Sequence, residues 1–260
     1  MTDLFTPPKV GRRMFMVWRR NRDAWYKFYK ASMVGNVAEP IFFLLAFGLG
    51  LSRFISDIDG VPYIEYIAPG LMAASAMNAS SFECTFGSFT RMSTQKTYDA
   101  IMVTPVNIEE VAAGDILWGA TKGLLSAVII LVVLFAAGLV GSVWLIAAPP
   151  VFLLEGVMFA SMGLIVTAFA PSYDYYAYYF SLVISPMFFF SGIFFPLSTL
   201  PGWVRDVAWF TPLAHVVNLS RAFSTGDVPV SLLGDLAWML VFTAVTSWLA
   251  IKFIKRRLVK

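Results

Sequence analysis

The chain has 260 residues, 58% of them hydrophobic and only 13% charged. Soluble domains carry about 25% charged residues, so this balance excludes an ordinary soluble protein and marks an integral membrane protein. The net charge of +3 is small and a single cysteine, Cys84, cannot form an internal disulfide, so neither a nucleic-acid partner nor a redox compartment is indicated.

Residues 8–28 read as an amphipathic helix lying along the membrane. At the helical period Val10, Met14, Val17, Trp18, Trp25 and Phe28 share one arc, interrupted only by Asn21, while Arg12, Arg13, Arg19, Arg20 and Arg22 fall opposite. Basic heads over a tryptophan-bearing apolar face suit an interface rich in anionic lipid. The first spanning helix is expected from about Ala31 to Leu51. It contains Glu39-Pro40, a carboxyl that is costly at that depth unless paired or protonated. A short polar turn over Arg53–Tyr63 leads to a second helix from Ile64 to about Phe89, with Pro69 and Gly70 in its first turns and Glu83 deeper.

Arg91–Asn107 is polar, then briefly amphipathic, then stopped by Pro105. A turn or two of helix near 94–103 would expose Lys96, Tyr98 and Asp99. The third span follows over 108–140, its first turn carrying Glu109 and Glu110, favourable against the helix dipole. Asp115 and Lys122 lie seven residues apart and so share a face. The fourth span covers about Val143–Ala170, kinked near Pro149-Pro150 and carrying Glu155. Tyr173, Tyr175, Tyr176, Tyr178 and Tyr179 then open the fifth, as an aromatic belt does at a membrane boundary.

The stretch from Ser185 to Gly226 is broken at Pro196 and Pro201 and restarts at Thr211-Pro212. Its pieces are too short to cross a hydrocarbon core about 30 Å thick, and bent backbone survives there only against protein or a water-lined cavity. Leu200–Ala208 and Pro212–Ser224 therefore read as a re-entrant helical hairpin, near 197–224, that lids a translocation path. A loop resting on the membrane surface is the simpler alternative. The sixth span runs over about 230–253, with Asp235 near its start, and ends in a basic tail. The fold class is thus an all-α integral membrane protein. One domain, 1–260, holds six transmembrane helices within 31–253, an N-terminal interface helix and the re-entrant hairpin.

Six spans place both termini on one side. Of nineteen Lys and Arg, eight lie in the first thirty residues and five close the chain. Arg91 and Lys96 join them from the second connection, and only Arg53, Arg205 and Arg221 fall opposite. The positive-inside rule then puts both termini and the 94–103 helix in the cytoplasm of a plasma (inner) membrane, and the hairpin outside.

No phosphate loop of the G-x-x-x-x-G-K-[ST] type is present, nor H-E-x-x-H, a Cys/His cluster or G-x-S-x-G. No catalytic residue and no metal ligand can be named, and His215 reads as a structural histidine. Glu39, Glu83, Asp115, Lys122 and Glu155 are scattered over the helices, which suits helix pairing or a polar path. Glu39, Glu83 and Glu155 are candidates for that path, with Tyr175, Tyr176, Tyr179, Phe188 and Phe189, whose ring faces could stack on sugars or acyl chains. An intramembrane enzyme acting on lipids and a gated channel or scaffold are the rival readings. The first would need the carboxyls to converge, and the second would work without nucleotide.

Pro212-Leu213-Ala214-His215, followed after five residues by Arg221, resembles the signature of the ABC-2 family of ABC-exporter permeases. Ser191-Gly192-Ile193 and Leu200-Pro201 precede it, although Phe190 stands where the signature prefers a smaller aliphatic residue. Tyr66–Leu71 and Thr104-Pro105-Val106 are similar to two further stretches of that family. The likeness covers nearly the whole chain and is strongest to the NodJ branch, permeases that export lipo-chitooligosaccharide signals. The resemblance implies a half-transporter. A second permease copy, as a homodimer, would complete the path among membrane lipids, and two copies of a cytoplasmic ATP-binding subunit would supply ATP and Mg, this chain binding no cofactor itself. It further implies that Gln95, Lys96, Thr97, Tyr98, Asp99 and Met102 form a coupling helix pressed into the ATPase, with the N-terminal helix braced against it.

Overall fold

The computed structural model describes residues 6–51, 54–55, 57–58, 60–139 and 141–259, apart from the side chains of 31–33, 35–37, 39 and 49. Helix dominates. In chain order come α1 (Met14–Trp25), α2 (Tyr29–Leu45), α3 (Tyr63–Phe82), α4 (Thr97–Met102), α5 (Ile108–Ala136), α6 (Pro149–Phe169), α7 (Tyr175–Tyr179), α8 (Ser185–Phe190), α9 (Gly202–Trp209), α10 (Pro212–Thr225) and α11 (Leu232–Leu258). Three of these are long and apolar enough to cross a membrane: α5, α6 and α11. The turn expected over Arg53–Tyr63 contains a minimal hairpin of β1 (Asp57–Ile58) and β2 (Val61–Pro62), paired antiparallel as Asp57 with Pro62 and Ile58 with Val61.

Several helices run on through π turns, in which each hydrogen bond spans one more residue than in an α-turn. Ala46–Gly50 continues α2, Glu83–Gly87 and Thr90–Thr94 extend α3, and Phe180–Ile184 joins α7 to α8. The prolines act as the chemistry of the residue requires. Pro149 and Pro212 stand at helix starts, where the missing N–H is no loss. The kink expected near Pro149-Pro150 is instead a helix start, preceded by a separate 3₁₀ turn over Val143–Ala147. The last helix continues beyond Phe253 to Leu258, and the short helix expected over 94–103 is confined to Thr97–Met102.

The centre of the bundle is α6, packed against both α5 and α11, with α3 closing the group. Backbones meet there because side chains do not intervene. A Cβ on Gly156 would lie 2.7 Å from the Ala120 Cα, and one on Gly123 would collide with the Ser80 hydroxyl and approach the Ala76 carbonyl at 3.0 Å. Two apolar clusters result. One, around Met72, Met77, Phe152, Phe159 and Val216, fills the half of the bundle nearer the β-hairpin; the other, around Val111, Leu164, Tyr176 and Ile254, fills the half nearer the termini.

Candidate functional site

At the terminal end of the bundle a polar cluster is built round Asp115, eight residues into α5 and fully buried. Asn21 of α1 donates through Nδ2 to its Oδ1 at 2.6 Å. Its Oδ2 accepts from Ser88 at 2.8 Å, from Arg91 Nη2 at 3.0 Å and from the Tyr98 hydroxyl of α4. Arg91 also binds Glu83 Oε1 through Nη1 at 2.6 Å, and Lys122 stands 4.0 Å from the other Glu83 oxygen. Two carboxylates thus face two cations with their hydrogen-bonding capacity largely filled, the condition under which buried charge is tolerated. Glu83 and Arg91 can share one face because of the π turn. Eight residues overshoot two α-turns of about 3.6 residues each, and the wider turn absorbs most of that excess.

Three elements converge on this cluster. The surface helix α1 lies on α5 at Gly114, where a Cβ would come within 2.6 Å of Val17 and 2.7 Å of the Met14 carbonyl. Trp18 Nε1 donates to Thr121 at 2.9 Å and Arg13 to the Pro105 carbonyl at 2.5 Å, so α1 is tied along its length. Helix α4 starts abruptly at Lys96, whose left-handed φ of 52° is uncommon outside glycine. Arg20 reaches Thr97 at 3.2 Å. Burial, reinforced by the Asp115 charge, pushes the Tyr98 phenol well above its ordinary pKa and keeps it a donor.

This corrects one expectation. Tyr98 is not exposed beside Lys96 and Asp99; it is 1% exposed and faces inward, with Thr97 also buried. Gln95, Lys96 and Asp99 face outward, Met102 is half-buried, and Val103 is exposed just beyond the helix. Asn21, the polar interruption of the apolar arc, is buried as deeply as Val17 and is the residue of α1 that grips Asp115. The sequence signal was that interruption itself, since a polar residue on a buried helix face needs a partner.

The segment before α1 and the last turns of α11 meet at the same end. Glu109 accepts from Lys252 at 3.2 Å, from Lys255 at 3.1 Å and from the Lys9 backbone N–H, and Arg257 donates to the Thr167 carbonyl. Asn107 and Glu110 form a reciprocal capping box at the start of α5.

At the opposite end α10 is seated in the bundle against α3 and α11, while α9 leaves Trp203, Val207 and Trp209 exposed. Arg221 of α10 places its guanidinium 3.9 Å from the centre of the Tyr66 ring and donates to the Gly192 carbonyl at 2.7 Å. Gly192 has φ of 80°, which only glycine adopts without strain. His215 has both ring nitrogens engaged, Nδ1 with Asp235 at 2.5 Å and Nε2 with the Trp209 carbonyl at 2.8 Å, and stacks on Trp238. Pro212 starts α10 and Ser220 donates to the Pro69 carbonyl at 3.2 Å.

The other candidates do not gather. Tyr176 and Tyr179 of α7 are buried and bonded to Thr167 of α6 and Ser81 of α3, whereas Tyr175 and Tyr178 are exposed. Phe188 packs against Phe43, Phe189 and Phe194, with Phe189 largely exposed. Glu155 is fully buried in the first half of α6, and neither carboxyl oxygen has a hydrogen-bond partner among the described residues. The Glu39 side chain lies outside the described residues. No group of three metal-ligating side chains occurs among the described residues.

A bundle with three apolar helices of spanning length, sealed at one end by a charge-balanced polar clamp, is a multi-pass membrane protein. Its membership is specific: the chain belongs to the ABC-2 type transporter family, which matches it over residues 12–223. It is 40% identical over 251 residues to nodulation protein J of Rhizobium meliloti (strain 1021), covering 96% of each chain. It is 37% identical over 255 residues to nodulation protein J of Rhizobium leguminosarum bv. viciae, covering 98% of each. The inner membrane transport permease YadH of Escherichia coli (strain K12) is 23% identical, over 89% of this chain and 91% of that protein. The resemblance drawn from Pro212, His215 and Arg221, and its lean toward the NodJ branch, are thereby borne out.

Proposed function

We propose that this chain is the permease subunit of an ATP-driven exporter that moves an amphiphilic substrate, a glycolipid, a lipooligosaccharide or a drug-like molecule, out of the cytoplasm or inner leaflet. The polypeptide would cross the inner membrane six times with both termini cytoplasmic, and two copies would flank the path. The second span would be α3 with its π extensions, the first α2 with its own, and the fifth α7 through α8. The hairpin of α9 and α10 would close the path from outside. Each copy would rest on a cytoplasmic ATPase subunit that binds ATP and Mg.

The observation that carries this reading is the two-faced geometry of α4. Its outer edge, Lys96, Asp99 and Val103, is bare, while its inner edge is fastened by Tyr98 to the bundle core. A helix six residues long that is anchored on one side and open on the other is suited to receive a push from a partner. Membership of the ABC-2 type transporter family and the alignment of 89% of this chain with a transport permease support the same view. The test is reconstitution with a candidate ATPase subunit in vesicles. ATP should drive outward movement of a labelled lipooligosaccharide, and Lys96→Glu with Asp99→Lys should weaken ATPase association at least tenfold without unfolding the chain. Full transport with no nucleotide-hydrolysing subunit present would refute the assignment.

A further inference from the structure

The exposed edge of α4 can only matter if its motion reaches the membrane helices, and the clamp round Asp115 bears on how it does. We infer that Asp115 is the positioning residue that joins α1, α4, the end of the α3 extension and α5 into one rigid lever. The inference rests on the exporter reading above.

The geometry assigns a distinct tether to each element. Oδ1 takes Asn21 of α1, and Oδ2 takes Tyr98 of α4 together with Ser88 and Arg91 of the α3 extension, while the carboxylate itself belongs to α5. Removing one donor leaves the others in place but frees one element. Other fastenings on α4 are few: among the described residues, the side-chain hydrogen bonds of Thr97–Met102 are those of Thr97 with Arg20 and Gln95 and that of Tyr98 with Asp115. Displacement of α4 therefore reaches α5 through the Tyr98 hydroxyl and the packing of its ring, beside the chain connection over 103–107. From Asp115 it divides. Arg91 carries it along α3 to Glu83, and Glu83 carries it back to Lys122, two turns deeper on α5. The two π turns that flank Ser88 and Phe89 lie on this route, and such turns recur at functional sites. They are the places where the rest of α3 can bend relative to the lever without breaking a regular α-helical ladder.

Asn21 and Tyr98 act on the same carboxylate from different helices, so their contributions must be coupled rather than additive. A purely structural role for each would give independent losses. The experiment uses the full chain with its ATPase subunit in vesicles and measures substrate moved per ATP hydrolysed. Tyr98→Phe keeps the ring and removes the hydroxyl; Asn21→Leu keeps the volume and removes the amide. Each should lower the transport ratio about tenfold while the ATPase subunit still co-purifies, and the double variant should be no worse than the poorer single one. Multiplying losses in the double variant, or an unchanged ratio in Tyr98→Phe, would overturn the proposal. A second measurement needs no partner: a spin label at Val103→Cys in the isolated chain should become more mobile on Tyr98→Phe. Failure of the wild-type pair to couple at all would sink the exporter reading, whereas unchanged label mobility would sink the lever alone.

Discussion

Arg221 shows how one side chain can hold two elements when its chemistry is planar. The guanidinium covers the Tyr66 ring and at the same time donates to the Gly192 carbonyl, joining α10, α3 and the turn after α8. A lysine offers a point charge without the flat face. Arg221→Lys should therefore cost nearly as much as Arg221→Ala, about 2 kcal/mol, most of it from the stacking and the charged hydrogen bond. Thermal unfolding in detergent checks this, and a lysine variant that melts with the wild type would refute it. Glu155 is the converse case. Both of its oxygens are buried without a partner among the described residues, and an orphaned polar group costs about 1–3 kcal/mol. Glu155→Met should leave the melting temperature unchanged or raise it, and Glu155→Gln, which keeps the polar atoms, should give no gain. A fall of several degrees in the methionine variant would show that the carboxyl serves stability after all.

Between elements, contact is decided by the absence of side chains as much as by their presence. Gly114 lets α1 lie on α5, and Gly156 lets α6 approach the Ala120 backbone. Adding one methyl at Gly156 meets backbone atoms that cannot move aside, so Gly156→Ala should destabilise the bundle by about 1–3 kcal/mol. A lowered midpoint in a thermal or denaturant melt checks it, with Gly202→Ala, where a Cβ meets open space, as the control. The helices themselves were legible in the sequence because proline, charge and hydropathy act locally. The starts of α5, α10 and α11 fall within two residues of the positions read from Ile108, Pro212 and Val230. What covers each helix face was not legible. Periodicity put Asn21 on an apolar arc but could not show Asp115 waiting ninety-four residues away, and it left Tyr98 outward because nothing local opposes that. The extension of α11 past Phe253 has the same origin, since Lys252 and Lys255 are held by Glu109 from across the chain.

At the scale of the whole molecule the arrangement of charge and the arrangement of elements coincide. The N-terminal helix, α4, the start of α5 and the end of α11 meet at one end, joined through Asp115 and Glu109. The β-hairpin, the turn at Gly192 and the packed α10 occupy the other. Fifteen of the nineteen Lys and Arg lie in the segments read as sharing the first end, and positive charge is retained on the cytoplasmic face. The prediction is that Lys96 and Trp203, both exposed, stand on opposite sides of the membrane. The native Cys84 is fully buried and should stay silent toward a bulky, membrane-impermeant maleimide, so single cysteines can be read against the wild-type background. In intact cells with a permeabilised outer envelope, Trp203→Cys should label at once and Lys96→Cys only after the inner membrane is broken. Charge asymmetry acts on the nascent chain, and the clamp at Asp115 acts on the folded one, yet both require the same segments to share a side. Labelling of Lys96→Cys from outside would therefore contradict the orientation and, with it, the access of any cytoplasmic ATPase to α4.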